Sequence, residues 1–161
     1  MDELEALLER LLGHGVEFVI VGGYAAVAHG VTLVTQDLDI CCRFSVENLM
    51  RLQAALVDLN PVHRQTTNRR SLALTPKGCR RLKNLYLQTD YGQVDCLGAI
   101  AGVGGFEDAL EQSEELDIGI GICRILTLGS LIRAKEAINR PRDREAVVQL
   151  KAIAERRKSD E

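Results

Sequence analysis

Residues 16–21 read VEFVIV, break at Gly22-Gly23, and continue as YAAVAH before Gly30. A short β-branched run of this kind suits a strand buried on both faces. Two glycines end it, and residues 24–29 read as a short helix that stops at Gly30. A strand that feeds through a glycine turn into a helix implies layers of helix and sheet. The turn also has chemical potential. Glycines let the backbone approach a ligand closely, and the unpaired N–H groups opening a helix from Tyr24 can hold a phosphate.

The flanking segments extend this pattern. Leu4, Leu7, Leu8, Leu11 and Leu12 recur at helical spacing, so a first helix ends near Gly13 and Gly15. Residues 37–42 (DLDICC) read as a second strand, and Ser45 is a suitable N-cap for a helix over 46–59. Residues 61–83 carry weaker signals, with a possible strand at 71–75 and a helical turn opened by Pro76. Residues 83–89 and 93–97 flank Asp90-Tyr91-Gly92, which predicts a hairpin with three connecting residues. A glycine-rich connection over 98–105 leads to a helix at 106–112. Residues 116–126 alternate as one strand, in which Gly119 and Gly121 suggest a bulge or a close backbone neighbour. Two helices, 128–139 and 142–157, meet at Arg140-Pro141. The expected fold class is α/β (α+β): a mixed sheet flanked by helices, with helices at the C-terminal end. We read residues 1–161 as one domain, with a core to about residue 126 and a helical segment over about 127–158.

Composition narrows the function classes. The chain has 161 residues, 46% hydrophobic and 27% charged, with 20 Lys+Arg against 23 Asp+Glu and a net charge of −3. That is too apolar for a disordered chain, and no aliphatic run reaches the ~18 residues of a spanning helix. No membrane association is expected. The acidic, amphipathic N-terminus is unlike a secretory signal. Five cysteines, Cys41, Cys42, Cys79, Cys96 and Cys123, lie in apolar runs and read as buried reduced thiols of a cytoplasmic protein. The charge is uneven: residues 60–89 carry seven Lys and Arg and no acid, and residues 133–158 carry nine against four. Two positive segments on a near-neutral chain suit a small phosphorylated ligand or a local RNA contact, or are simply solvated faces.

Asp37 and Asp39 stand two apart in the expected second strand, so alternation puts both carboxylates on one face. Like charges held side by side raise their own pKa and favour a cation between them. Mg²⁺, a hard ion held by a few carboxylates and substrate phosphates, suits this pair. Asp95, in the apolar run Gln93-Val94-Asp95-Cys96-Leu97, needs a partner when buried, and a shared metal is one. Taken singly, each acid also reads as a structural or surface Asp. Arg69-Arg70 could grip acceptor phosphates or stay solvated, and His29 reads as a core or capping histidine rather than a ligand. GxGxxG, Walker A and GxSxG signatures are absent from the sequence.

Val19-Ile20-Val21-Gly22-Gly23, followed after 13 residues by Asp37-Leu38-Asp39-Ile40, resembles the hG[G/S]…DhDh signature of the DNA polymerase β-like nucleotidyltransferase superfamily. Residues 24–30 and 35–39 are similar to its minimal, toxin–antitoxin and abortive-infection type members. Asp95 matches the third acid, and Leu131-Ile132-Arg133-Ala134-Lys135 with Arg140-Pro141-Arg142-Asp143 resembles a lysine helix and the turn after it. The resemblance implies a nucleoside triphosphate substrate such as ATP, and Mg²⁺ as cofactor, two ions being usual. Gly22, Gly23 and Tyr24 would lie over the phosphates, with Lys135 and Arg142 offsetting charge on the leaving pyrophosphate. Asp37, Asp39 and Asp95 would be the catalytic acids and metal ligands. The implied reaction is nucleotidyl transfer to a hydroxyl of RNA or of a protein, with a cognate toxin or antitoxin as a possible partner. Gly23 stands where many relatives carry Ser, and Leu33 where similar ones often carry Arg. A catalytically impaired, antitoxin-like subunit that binds nucleotide or a partner is therefore a second expectation. A plain interaction domain is the third.

Overall fold

A computed structural model describes residues 2–160; Met1 and Glu161, the two ends of the expected domain, lie outside the described residues. Asp2 caps the first helix, α1 (Glu3–Gly13), by accepting from Glu5 N–H at 2.8 Å. The leucine stripe behaves as its spacing requires: Leu7, Leu8 and Leu11 are fully buried. Strand β1 (Phe18–Val21) is buried at all four positions and passes directly into α2 (Gly22–His29). Gly30 ends α2 in the left-handed region, φ 114°.

Strand β2 (Leu38–Cys42) pairs antiparallel with β1. At the far end of this pair Asn48, in α3 (Val46–Leu56), ties the two strands together. Its Oδ1 accepts from Glu17 N–H at 2.7 Å, and its Nδ2 donates to the carbonyls of Glu17 and Arg43. Ser45 caps α3 as expected, through Asn48 N–H. A short 3₁₀ turn over Val57–Leu59 follows, then β3 (Val62–His63), α4 (Pro76–Cys79), β4 (Asn84–Thr89) and β5 (Gly92–Leu97). Next come the small hairpin β6 (Ala99–Ile100) and β7 (Gly104–Gly105), α5 (Phe106–Glu111), β8 (Ser113–Asp117), β9 (Ile122–Leu126), α6 (Leu128–Ile138) and α7 (Pro141–Ser159).

Seven strands form one mixed sheet in the order β3-β4-β5-β2-β1-β9-β8. Strands β1 and β9, and β2 and β5, are parallel; the other neighbours are antiparallel. The expected class of a mixed sheet flanked by helices, with helices at the C-terminal end, is the observed one. Its core runs from Leu7 and Leu11 through Ile20, Leu38 and Ile40 to Leu52, Leu87 and Leu126. All five cysteines are buried free thiols, and burial pushes the thiols of Cys41 and Cys123 up to about 11, which keeps them protonated. No helix among the described residues is long and apolar enough to cross a membrane.

Four local expectations need correction. Residues 116–126 are not one strand but the end of β8, a turn and β9. Ile118 donates its N–H to the Gly121 carbonyl and Gly119 has φ 85°, so the glycines close a hairpin. The β4–β5 turn has two connecting residues, because Gly92 already pairs with Thr89. The expected strand at 71–75 is a single bridge from Ser71 to Val62, and β3 lies earlier. Strand β2 begins at Leu38, which leaves Asp37 just outside it and exposed.

Candidate functional site

The site follows from strand register. Val21 of β1 lies opposite Asp39 of β2, Asp39 opposite Asp95 of β5, and Asp95 opposite Tyr86 of β4. The next position in the row is Arg64, one residue beyond β3, whose N–H donates to the Tyr86 carbonyl at 3.0 Å. Residues directly opposed across a sheet share a face at strand spacings of about 4.8 Å. Arg64, Tyr86, Asp95 and Asp39 therefore form one lateral row, which ends where β1 turns into α2.

At that end the backbone is fitted to the acid. Gly22 has φ 69°, in the region that favours glycine. A Cβ added there would lie 2.8 Å from Asp39 Cβ and closer still to its carboxylate. Any other residue at this position would displace Asp39, so the glycine is required both by its conformation and by the space. A Cβ at Gly23 would approach Thr35 Oγ1 to 3.1 Å, so a hydroxyl already stands beside that position. No side chain caps the N-terminus of α2, which leaves its first N–H groups beside the acids. The Tyr24 ring packs against the core, and its hydroxyl is raised by burial and by Cys123, Glu5 and Asp2. Its side chain is thus part of the packing, and its N–H is among the first of α2.

Asp39 is pushed up to about 6, first by burial and then by the charges of Asp95 and Asp37; Lys135 and Arg142 act in the opposite sense. The charges of Asp37, Asp95, Lys135 and Arg142 thus all act on Asp39. The Lys135 ammonium lies 3.7 Å from Asp143 and is lowered mainly by burial. Arg142 is exposed at the start of α7. Asp143 is clamped by Arg140, with Nε donating to Oδ2 at 2.6 Å.

Asp37 and Asp39 make no ion pair among the described residues, whereas Asp95 makes a double one. Arg64 Nε donates to Asp95 Oδ1 at 3.1 Å and Nη2 to Oδ2 at 2.6 Å, with its guanidinium 5.4 Å from the centre of the Tyr86 ring. Hydrogen bonding to Asp95, reinforced by the charges of Asp95, Asp37 and Asp39, raises the Arg64 guanidinium further. Among the described residues no three His, Cys, Asp or Glu side chains are grouped so as to hold a metal ion. The three sequence-selected acids thus share one region in two states, with Asp37 and Asp39 open and Asp95 engaged. For Mg²⁺ the open pair has suitable chemistry, two hard oxygen donors whose mutual repulsion a cation would relieve.

Sequence reading did not single out Arg64 or Tyr86 for this row. Arg64 is one of seven basic residues over 60–89, with nothing to mark it out, and a two-residue strand has no periodicity to set its register. His29 takes the structural role expected for it. Its Nε2 lies 2.7 Å from the Leu126 carbonyl and its Nδ1 3.3 Å from Arg157 Nη2, so it joins α2 to β9 and α7. No family model matches the chain, and a search of curated proteins finds no match to it.

Proposed function

We propose that the turn from β1 into α2, Asp37 and Asp39 at the head of β2, and the cations of α6 and α7 bind a magnesium-complexed nucleoside triphosphate for nucleotidyl transfer. The observation that carries this reading is Gly22, whose missing side chain leaves room for the Asp39 carboxylate beside an uncapped helix N-terminus. Unpaired carboxylates next to open N–H groups can take a cation and an anion together, and a metal-bound polyphosphate is both.

Magnesium held by Asp37 and Asp39 would supply charge neutralisation at the phosphates. The chain's own groups do the rest. The first N–H groups of α2, at Gly23 and Tyr24, bind phosphate oxygens; Lys135 and Arg142 offset the negative charge that grows on pyrophosphate as it leaves. An acceptor hydroxyl, on RNA or on a protein partner, forms a bond to the α-phosphorus while the bond to the β-phosphate bridging oxygen breaks. The hydroxyl proton passes to solvent water in the same step. Positioning and charge compensation lower the barrier, as in other phosphoryl transfers.

A second reading has a specific observation behind it. Because Arg64 holds both oxygens of Asp95, the chain could keep the nucleotide site and serve as a catalytically impaired, antitoxin-like binding subunit. Titration calorimetry with each of the four ribonucleoside triphosphates, with and without Mg²⁺, tests the shared part. Metal-dependent binding that weakens at least ~10-fold in Asp39→Ala is expected, and binding unaffected by that change overturns both readings. Transfer of label from α-³²P triphosphates to RNA or to a copurifying protein then separates them.

A further inference from the structure

Arg64 is set in place before its side chain begins. Its N–H extends the β3–β4 ladder to Tyr86, and the turn behind it is closed by His63 N–H donating to the Arg70 carbonyl at 2.8 Å. Thr66 Oγ1 adds a bond to the His63 carbonyl at 3.0 Å. From this anchor the guanidinium crosses Tyr86 and meets Asp95 with two parallel hydrogen bonds, a geometry specific to arginine. Gln93 Nε2 lies 3.4 Å from the Asp95 oxygen that also accepts from Nη2. Asp95 is 8% exposed, so removing the guanidinium would leave a nearly buried carboxylate without a counter-charge.

We propose that Arg64 is a built-in second cation of this site: its guanidinium holds Asp95 where a second divalent ion would otherwise bind, so the chain takes one metal ion, at Asp37 and Asp39. The inference rests on the nucleotide-site reading above and narrows it. Charge supports it, since the Arg64 guanidinium offsets Asp95 within the row and leaves Asp37 and Asp39, whose charge Lys135 and Arg142 only partly counter, to an ion from outside. Permanence supports it as well, because a guanidinium does not lose its proton at any working pH and does not exchange as a bound ion does. Arg64 is a positioning residue on this account, and both carboxylate oxygens of Asp95 already accept from its guanidinium.

Electron paramagnetic resonance and native mass spectrometry with Mn²⁺ alone test this on the full chain, without reference to activity. Wild type is expected to hold one ion per chain with the six-line spectrum of an isolated Mn²⁺. Arg64→Gln is expected to hold two, with the broadened spectrum of a spin-coupled pair roughly 3.5–4 Å apart. Two coupled ions in wild type, or one in Arg64→Gln, overturn the role given to Arg64 and leave the nucleotide site standing. No ion bound by wild type from Mn²⁺ alone overturns this inference, while the triphosphate calorimetry decides the nucleotide-site reading separately. Should Arg64→Gln fail to fold, the wild-type count decides alone: one ion supports the proposal and two overturn it. Asp39→Asn, expected to lose the single ion, checks where it binds.

Discussion

Two aspartates on neighbouring parts of the molecule are treated in opposite ways. Asp143, at the joint between α6 and α7, is 2% exposed and is met by Arg140 Nε, Arg140 Nη2, Arg140 N–H and the Lys135 ammonium. Burial works against its charge, but the bonds from Arg140 outweigh this and hold its carboxyl below the ordinary value. Asp39, at the head of β2, is half-buried, has no ion pair, and is raised to about 6 by burial and two neighbouring acids. The fold completes the first acid and leaves the second incomplete. A carboxylate with its full set of donors stabilises the helix joint; on the function proposed above, one without them is left to a cation from outside.

Asp143→Ala should have the largest effect. It strands Lys135 in a poorly solvated position and removes the capping contact to Arg140, so we expect a loss of about 3 kcal/mol in urea unfolding. A loss under about 1 kcal/mol would mean that the joint is an ordinary surface pair and that the contrast with Asp39 is false.

Asp39→Asn should move stability the other way. The folded-state value of about 6 lies above the ordinary 3.8, so folding favours the protonated acid. That contribution is complete below pH 3.8 and disappears as the pH rises through about 6. The amide variant should match wild type near pH 3.5 and become more stable by about 1–3 kcal/mol at pH 7, after allowance for partial exposure. Urea midpoints across that range check it. Equal stability at both ends would show that neither burial nor the neighbouring acids penalise the Asp39 charge.

Much of this contrast was legible in the sequence, though unequally. Strand β1, the glycine turn and β2 are contiguous and strongly patterned, and the resemblance carried by their spacing set Asp39 beside Gly22. The resemblance extended the group to Asp95, and strand register puts Asp95 beside Asp39. What could not be read was who else stands in that row. Arg64 reaches Asp95 because β3 and β4 pair in one register, and two residues of strand in a basic, aperiodic stretch carry no trace of it. The hairpin hidden at 116–126 was missed for a related reason. Alternation continues through its turn, and what marks a reversal is the Ile118 N–H bond to the Gly121 carbonyl and the antiparallel pairing of β8 with β9.

Lys135 is the smallest lever and the most discriminating, because it belongs to both regions. Its ammonium pairs with Asp143, and its charge also acts on Asp39. In Lys135→Met the first partner keeps Arg140, so stability should fall by only about 1 kcal/mol. The second loses a cation that now favours its ionised form, and the Asp39 carboxyl should titrate above the wild-type value, as followed by carboxyl-carbon NMR. Metal–triphosphate affinity should fall with it, roughly fivefold for a charge contribution near 1 kcal/mol. If stability falls while the Asp39 titration and the affinity stay where they were, Lys135 serves the helix joint alone. The C-terminal helices would then be a support for the sheet rather than a wall of the site.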